Sequence, residues 1–262
     1  MNGKNSFDVE AMWREWFMNS ATIMENRFTK FMRWLPSDPR CKFCSAPFQG
    51  VGGVFVRTVY GKRRSILNPS FCNICEEFAR TNPGGAEVDM SMLFVDVRGS
   101  TALSERMNPR EFQKLINRFY VEATRVINRE DGLVEKLAGD SVAAFWGAGF
   151  AGVNYIQRTL SAAQAMLKVM QEQNIPVGIG VHAGVAFFGG MGTADGLVEI
   201  SAIGDEVNTA ARLASKAAAG EIVVSEMALQ KAGIDAGNLE ARALELKGIS
   251  EPVRVRVMRV ED

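Results

Sequence analysis

Strand-like and helix-like segments alternate over the last two thirds of the chain, and this alternation restricts the fold more than any other feature. From about residue 86 the pattern predicts strands at 88–96, on both sides of Gly139-Asp140, at 176–186 and at 197–203. Three helices separate them, and short strands follow to the end. Elements interleaved in this way predict an α/β sandwich, in which helices cover a mixed sheet.

The first helix of this region has a recognisable start. Asn108 is a capping residue, Pro109 suits the first turn, and Glu111 follows three residues after the cap. The apolar stripes of this helix and of the next long helix are interpreted as core, not as functional surfaces. They consist of Phe112, Leu115, Ile116, Phe119, Ala123, Val126 and Ile127, and of Val153, Ile156, Leu160, Ala163, Leu167 and Met170.

An N-terminal segment, residues 1–36, is predicted to be mainly helical from residue 7 to residue 35. Its apolar residues step by four and three, which is the spacing of a coiled-coil seam. Pro36 and Pro39 end the helix. The stripe is interpreted either as a dimerisation stalk or as a face that packs on the neighbouring module. It consists of Phe17, Ala21, Met24, Phe28, Phe31 and Leu35.

All four cysteines lie in the next segment, residues 37–80, as two C-x-x-C pairs around a strand-like stretch at 54–60. Paired knuckles of this kind predict a four-thiolate metal site, with tetrahedral zinc as the first choice in a structural role. An iron–sulfur cluster or a redox disulfide pair is the alternative. The predicted ligands are Cys41, Cys44, Cys72 and Cys75. Residues 81–87 are expected to link this module to a main domain at 88–262.

Two aspartates occupy special places in the predicted sheet. Asp96 ends an apolar strand, and Asp140 lies at a tight turn between two strands. Two carboxylates on neighbouring strands can hold a pair of magnesium-type ions for chemistry at phosphorus. After Asp96, the run Gly99-Ser100-Thr101 opens a helix whose exposed amides could receive phosphate oxygens. Each aspartate taken alone is also compatible with ordinary turn chemistry.

A third run, residues 203–213, begins another helix and sets Asn208 and Arg212 four residues apart on one face. The amide could orient a sugar, and the guanidinium could neutralise charge that builds on phosphorus. For a single such pair, local hydrogen bonding and a solvated arginine are the ordinary alternative.

The three runs together resemble the catalytic domain of class III nucleotidyl cyclases. They are strand-Asp-x-x-Gly-x-Thr, Lys-x-x-Gly-Asp and Gly-Asp-x-Val-Asn-x-Ala-Ala-Arg-Leu, in that order and spacing, and the resemblance covers about residues 88–258. It implies a ferredoxin-like mixed sheet with flanking helices, preceded here by the helix and the small metal-binding module.

The resemblance also implies roles for individual residues. Asp96, Asp140 and the backbone carbonyl of Val97 would hold two Mg²⁺ or Mn²⁺ ions per active site. Asn208 would position the ribose and Arg212 would stabilise the transition state. The family places a triphosphate-binding lysine where this chain has Lys247, for which an exposed turn lysine is the alternative.

In this family two positions choose the purine base, and here they are Lys136 and Ser201. Lysine only donates hydrogen bonds, which suits the unprotonated N1 of adenine and opposes the N1–H of guanine. ATP is therefore the expected substrate, although serine both donates and accepts and would discriminate less strictly than the aspartate or threonine usual there. Ser100 stands where the family often has phenylalanine.

Family sites form between two catalytic domains, with the metal aspartates from one and the base, ribose and phosphate residues from the other. This chain carries both sets, so a homodimer with two equivalent sites is expected. The predicted activity is adenylate cyclase, which converts ATP to 3′,5′-cyclic AMP and pyrophosphate. The alternative is a catalytically silent nucleotide-binding dimer of the same fold. His182, the single histidine, is interpreted as a packed strand residue.

Composition excludes several other classes. Apolar residues make up 47% of the 262 residues, enough for a sizeable core, and the formal net charge is zero. Zero net charge argues against nucleic acid as a partner, although residues 57–64 include a local basic cluster. Neither a membrane-spanning run nor an apolar signal core is found, so a cytoplasmic location is expected.

Overall fold

The computed structural model describes residues 8–18, 27–66, 68–192 and 198–259. The chain divides into two compact units. The N-terminal unit comprises Met1–Val88, Ala148–Phe150 and Phe187–Ala202, and the sheet unit comprises Asp89–Gly147, Ala151–Ala186 and Ile203–Asp262. Within the described ranges, no helix combines the length and the apolar character needed to cross a bilayer.

Four helices precede the first strand. They are α1 (Val9–Met18), α2 (Arg27–Trp34), α3 (Gly50–Tyr60) and α4 (Asn73–Thr81). The remaining elements alternate as predicted. They are β1 (Gly84–Val97), α5 (Ser100–Arg106), α6 (Pro109–Arg129), β2 (Leu133–Ala138), β3 (Ser141–Trp146), α7 (Ala148–Ala151), α8 (Tyr155–Glu172), β4 (Val177–Gly192), β5 (Val198–Ile203), α9 (Asp205–Lys216), β6 (Glu221–Ser225), α10 (Glu226–Ala232), β7 (Glu240–Leu244) and β8 (Val253–Met258).

The strands form one mixed sheet in the order β2-β3-β1-β4-β6-β8-β7, and β5 pairs with β4. β3 runs antiparallel to both β1 and β2, whereas β6 runs parallel to β4 and antiparallel to β8. A parallel neighbour requires a crossover connection, and α9 lies in the connection between β5 and β6. The predicted fold class, a mixed sheet with flanking helices, is confirmed.

Helix α9 packs on the sheet through a cluster of buried apolar side chains. Leu213 of the helix and Ala217, which caps its C-terminal end, pack with Val223 of β6 and with Val255 and Val257 of β8. Because successive strand residues point to opposite faces, Ile222 and Val224 lie on the other face of β6, where they too are buried. The sheet is therefore covered on both faces along this strand.

The capping prediction for α6 is confirmed. The Asn108 side chain accepts a hydrogen bond from the Glu111 backbone N–H at 3.0 Å, and Pro109 occupies the first turn. In the predicted stripe of α8, Ile156, Leu160 and the residues after them are buried. Val153 is an exception, because it lies ahead of the helix and is exposed.

In the N-terminal unit, α1 inserts three aromatic side chains into a cluster of rings. Trp16 stacks on Phe43 with ring centroids 5.0 Å apart and on Phe150 at 5.9 Å. Phe17 approaches Phe150 at 5.3 Å and Phe188 at 4.7 Å. Phe150 and Phe188 are more than a hundred residues away along the chain, so β4 and α7 contribute to the core of this unit.

The predicted seam of residues 7–35 contributes to this intrachain packing at its start. Phe17 is fully buried, Leu35 is buried and Phe31 is half-buried. Ala21 and Met24 lie outside the described residues, and nothing is described of the Phe28 side chain. The coiled-coil stalk stays a prediction.

The strand-like stretch at 54–60 is not a strand, and that prediction was wrong. It forms α3, which begins after Gln49 and ends at Gly61, whose φ of 65° suits a left-handed helix cap. A Cβ at Gly52 would overlap the backbone of Pro36, and a Cβ at Gly53 would overlap the backbone of Phe48. β-branched residues favour strands by propensity, but close packing of a glycine face decides the conformation here.

Of the seven residues predicted to link the cysteine module to the main domain, five lie in a helix or strand, and Asn82 and Pro83 lie between these elements. Thr81 ends α4, and β1 begins at Gly84. Gly85 lies so close to the Phe188 backbone that a Cβ there would overlap its carbonyl oxygen. The start of β1 therefore belongs to the packed N-terminal unit.

Candidate functional site

Asp96 and Asp140 lie at the same edge of the sheet. Asp96 is near the end of β1, and its Cα pairs with that of Ser141 at the start of β3. Asp140 immediately precedes Ser141 in the β2–β3 turn, and its carbonyl accepts a hydrogen bond from the Val97 N–H at 2.9 Å. The antiparallel register therefore brings the two carboxylates to neighbouring strand ends.

The environment of Asp96 disfavours an uncompensated negative charge. Burial, the largest cause, raises the pKa of Asp96 above its ordinary value. The Arg98 guanidinium opposes this rise, and the negative charge of Asp140 adds to it. Two close carboxylates that repel each other in a partly buried place fit a divalent cation, whose charge would relieve both penalties.

Arg98, two residues after Asp96, makes several contacts. It forms an ion pair with Asp96, and it donates hydrogen bonds to the carbonyls of Ala214 at 2.6 Å and Ser215 at 3.2 Å. Those carbonyls end α9. The absence of a side chain at Gly178 leaves room for Arg98, because a Cβ at position 178 would lie 2.6 Å from the Arg98 Nε. Arg98 thus ties the end of β1 to the C-terminal end of α9.

Ser100, at the start of α5, contacts the second aspartate. Its hydroxyl donates a close hydrogen bond to the Asp140 carboxylate. Gly99 precedes it with φ of 69°, a conformation that favours glycine. A phenylalanine at position 100 could not donate this bond, so the departure from the family pattern has a local consequence. Thr101 is exposed on the first turn of α5.

The β2–β3 turn is fixed from α6. The Tyr120 hydroxyl donates to the carbonyl of Gly139 at 2.7 Å, and Gly139 has φ of 61°. Burial, followed by the charge of Asp140, raises the pKa of Tyr120, which therefore remains a hydrogen-bond donor at neutral pH. No sequence pattern linked Tyr120 to this turn.

Lys136 lies on β2 beside an irregularity in the strand. Its Cα pairs with Ala143, and the register with β3 shifts between Val134 and Lys136. Such register shifts change the direction in which side chains point, and they are frequent next to active sites. Lys136 is exposed, on the strand that leads into the Asp140 turn.

The helix α9 carries the predicted ribose and phosphate residues. Asn208 is exposed and Arg212 is half-buried, one turn apart on the same face. A Cβ at Gly248 would lie 3.5 Å from the Arg212 guanidinium, so the turn that holds Lys247 is next to Arg212. Lys247 is exposed and helps to line a cleft of about 530 Å³ with Lys216, Glu245 and Ser250. The structure brings Arg212 and the Lys247 turn together.

Ser201, the second predicted base-reading residue, is half-buried on β5 and belongs to the N-terminal unit. The other predicted nucleotide and Mg²⁺ residues belong to the sheet unit. These residues of the sheet unit are Asp96, Val97, Gly99, Ser100, Thr101, Lys136, Asp140, Asn208, Arg212 and Lys247.

His182 is buried in β4 and fully hydrogen-bonded. Its Nδ1 contacts the Ser225 hydroxyl at 2.7 Å, and its Nε2 makes a close contact with the Glu206 carboxylate. Since Ser225 Oγ already accepts from the Ala228 N–H, its proton is available to Nδ1, which leaves the proton of the ring on Nε2. Burial lowers the pKa of His182, and Glu206 opposes this. His182 therefore fastens α9 to β4 and β6.

The four cysteines form a compact cluster in the N-terminal unit. Their Sγ atoms all lie within 4.8 Å of one another, all four residues are buried, and no disulfide joins them. Backbone N–H groups of Cys72 and Cys75 donate to the sulfur atoms of Cys41 and Cys72. This cluster could bind a metal ion.

Lys62 adds a positive charge beside the sulfur atoms. Its Nζ lies 3.5 Å from Cys44 Sγ and 3.8 Å from Cys72 Sγ. Burial works to lower the pKa of Lys62, but the charges of the four cysteines outweigh it and raise that pKa. Lys62 belongs to the basic cluster predicted at residues 57–64, but no sequence pattern indicated that it would lie beside the cysteine sulfur atoms.

Comparison with known families gives a match over most of the sheet unit. The profile of the family described as "Adenylate and Guanylate cyclase catalytic domain" matches residues 86–251. Among curated relatives, the uncharacterized protein Rv1318c of Mycobacterium tuberculosis is 32% identical over 190 residues, which are 68% of this chain and 34% of the relative. A second, Rv1319c of the same organism, is 34% identical over 143 residues, 52% of this chain and 26% of the relative. The chain thus spans about a third or less of these relatives.

Solved structures give a similar match. The guanylyl cyclase Cya2 has a TM-score of 0.61 and 26% identity, and the alignment covers 66% of this chain and 93% of that one. The adenylyl cyclase CyaB from P. aeruginosa has a TM-score of 0.58 and 27% identity, with 66% and 95% covered. Both kinds of cyclase are therefore similar to this chain.

Proposed function

Since the chain belongs to the adenylate and guanylate cyclase catalytic domain family, we propose that it is an adenylate cyclase that converts ATP to 3′,5′-cyclic AMP and pyrophosphate. The observation that carries the proposal is the pair of carboxylates, Asp96 and Asp140, at neighbouring strand ends. In the reaction the ribose 3′-oxygen bonds to the α-phosphorus. The bond between the α-phosphorus and the oxygen that bridges to the β-phosphate breaks, and pyrophosphate leaves with that oxygen. The hydroxyl proton passes to water or to a phosphate oxygen.

We assign Asp96, Asp140 and the Val97 carbonyl to two Mg²⁺ or Mn²⁺ ions. Bound divalent cations supply charge neutralisation on the triphosphate and lower the pKa of the 3′-hydroxyl. Arg98 holds Asp96 in place from the end of α9, and Ser100 orients Asp140. The exposed amides of Gly99, Ser100 and Thr101 are the proposed phosphate contacts.

On α9, the proposed role of Asn208 is to orient the ribose, and that of Arg212 is to stabilise the charge that develops around the α-phosphorus. The proximity of the Gly248 turn to Arg212 supports a shared phosphate-binding role for Lys247. Catalysis here is positioning and electrostatic stabilisation, because no described side chain near Asp96 offers itself as a general base.

Cyclase domains of this family function as dimers, and on this ground we propose a site shared between two copies. Arg98 joins Asp96 to the last carbonyls of α9, at Ala214 and Ser215. Asn208 lies about 10 Å earlier along the helix axis, at a rise of about 1.5 Å per residue. In a homodimer the metal residues of one protomer would face the α9 residues of its partner, which gives two equivalent sites.

A turnover assay tests the proposal. Purified protein is incubated with ATP or GTP and with Mg²⁺ or Mn²⁺, and cyclic nucleotide and pyrophosphate are measured. We expect cyclic AMP as the main product. Tight ATP binding without product under both metals would instead identify a catalytically silent nucleotide-binding dimer, and predominant cyclic GMP would overturn the assignment of the substrate.

The base preference is expected to respond to Lys136. In Lys136→Glu an acceptor replaces the donor that faces adenine N1, and it would pair with the N1–H of guanine. We expect the ratio of kcat/KM for ATP to that for GTP to fall about ten- to hundredfold, because an unpaired buried polar group costs roughly 1–3 kcal/mol. Lys168→Glu, on the exposed face of α8, is the control. An unchanged ratio in Lys136→Glu would remove Lys136 from the base pocket.

For the cysteine cluster we propose one structural Zn²⁺. A tetrahedral ion with Zn–S bonds of about 2.3 Å places its sulfur ligands about 3.8 Å apart. Cys44 and Cys72 Sγ are 3.8 Å apart, and no pair exceeds 4.8 Å. An iron–sulfur cubane, the alternative, binds each thiolate to a different iron and so spreads them further. The reduced thiols that zinc needs agree with the predicted cytoplasmic location.

A further inference from the structure

Helix α3 is apolar on both of its faces. Its inner face, Gly52, Gly53 and Val56, is buried against the rest of the N-terminal unit. Its outer face also carries apolar residues, at positions 51, 54, 55 and 59, and all of them are exposed. We call this row, Val51, Val54, Phe55 and Val59, the outer stripe. A helix that is apolar all round is normally covered, yet the residues in the described ranges leave the outer stripe exposed.

Exposed apolar side chains are concentrated in the stretch of sequence that contains the outer stripe. Of the fifteen large apolar side chains exposed among the described residues, eight lie between residues 34 and 74. Besides the outer stripe they include Trp34, Tyr60, Ile66 and Ile74. Val51 is 80% exposed and Ile66 is 96% exposed. Single exposed apolar residues need no explanation, but such a concentration marks an interaction surface.

The same segment is strongly basic. Residues 34–74 contain six lysines and arginines and one acidic residue, Asp38, in a chain whose net charge is zero. A zinc ion with four thiolates would contribute two negative charges, which leaves an excess of three positive charges. Arg57 is the only charged residue of α3, and Arg63 follows shortly after its end, both of them exposed.

Charge and apolar character together select the partner. A second copy of the same surface would bring the two basic segments against each other, which is unfavourable. Nucleic acid would match the charge, but phosphate and sugar offer nothing to exposed valine and isoleucine side chains. An anionic bilayer matches both, because headgroups attract arginine and the acyl boundary accepts aliphatic side chains, with Trp and Tyr at the interface.

We propose that the outer stripe of α3, with the basic residues beside it, docks on a membrane surface that contains anionic phospholipid. The helix lies flat in the interface, the outer stripe enters the acyl boundary, and Arg57 and Arg63 remain at headgroup level. The attachment is peripheral. It is independent of nucleotide cyclisation, because binding alone reports on it.

The test uses the metal-loaded 262-residue chain and co-sedimentation with vesicles. One set is phosphatidylcholine alone, and in the other about a third of the lipid is phosphatidylglycerol. We expect binding to the anionic vesicles, weakened by salt, and little binding to phosphatidylcholine. The pair Val51→Ser/Val54→Ser is expected to lower the partition coefficient at least about tenfold. The pair Arg57→Ser/Arg63→Ser is expected to lower it about thirtyfold, at roughly 1 kcal/mol per basic residue.

Matched controls change the same residue types outside the surface. Val153→Ser and Arg110→Ser replace exposed residues of the sheet unit and should leave the partition coefficient unchanged. Metal content and circular dichroism show whether each variant is folded. Absence of binding to anionic vesicles, equal binding to both vesicle types, or unchanged binding of the folded variants would overturn the proposal. So would conversion of a dimer to monomers by Val51→Ser/Val54→Ser, which would assign the outer stripe to a second copy.

Discussion

Protein in which Asp96 is replaced by alanine is expected to lose cyclase turnover by about three orders of magnitude or more, with either Mg²⁺ or Mn²⁺. The substitution removes one of the two adjacent carboxylates proposed to hold the metal ions. It also frees Arg98, whose hydrogen bonds to the carbonyls of Ala214 and Ser215 keep the end of α9 anchored. The loss should therefore come from metal binding and not from unfolding. Calorimetric titration with Mn²⁺ and ATP measures it independently of turnover.

Asp140→Asn offers a gentler version of the same experiment. The amide has the shape of the carboxylate and can still accept the hydrogen bond from Ser100, but it lacks the charge. Asp235→Asn, an exposed position after α10, is the matched control and should retain turnover. Turnover and metal affinity that survive both Asp96→Ala and Asp140→Asn would contradict the assignment of these two residues.

Mixing two inactive variants tests whether the site is shared between protomers. Asp96→Ala and Asn208→Ala damage opposite halves of the proposed site. In a mixed dimer one site has both lesions and the other has neither. If the chains assort randomly, half of the dimers are mixed, and about a quarter of the wild-type activity should return. No recovery in a mixture shown to contain mixed dimers would mean that one protomer supplies the whole site.

Removal of the metal from the cysteine cluster is expected to unfold the N-terminal unit. Zinc binding to structural sites of this kind contributes about 10–16 kcal/mol at neutral pH, which is far more than a small module gains from its own core. If the unit stayed folded without the ion, the four sulfur atoms would remain buried within 4.8 Å of one another, and any thiolates among them would repel each other. Cys44→Ser should have the same effect as a chelator.

Trp16 provides a direct optical readout of this unfolding. It is buried, stacks on Phe43 beside the first cysteine pair, and donates from Nε1 to the Lys42 carbonyl at 3.1 Å. We expect its fluorescence to shift to the red when the metal is removed, and Trp16→Phe identifies its share of the signal. Metal analysis should find one zinc per chain. Iron with visible absorbance would favour a cluster, and a folded unit without metal would contradict a structural metal site.

Patterns that depend on neighbours in the sequence predicted much of this protein. The Asn108 cap, the apolar stripe of α6 and the alternation of strands and helices all concern residues within a few positions of one another, and the structure has them where the spacing placed them. The grouping of four cysteines was also evident, because two short pairs suffice to indicate it.

Residue composition predicted the wrong secondary structure where side-chain packing favoured a different one. Residues 54–60 are rich in valine and aromatic residues, which favour strands, yet they form α3. Gly52 and Gly53 permit a backbone approach to Pro36 and Phe48 that a strand at this place would not make. The partner of a glycine face lies elsewhere in the chain, so the pattern itself could not indicate it.

The order of elements, the proposed metal ligands and the class of chemistry followed from local spacing and motif order. The contacts that join distant segments were not. Arg98 reaches carbonyls more than a hundred residues away, and Trp16 and Phe17 complete a core with Phe150 and Phe188. The physical reason is that a local pattern depends on the helix or strand period, whereas a long-range contact depends on how the finished elements pack, and that is decided only when the chain folds.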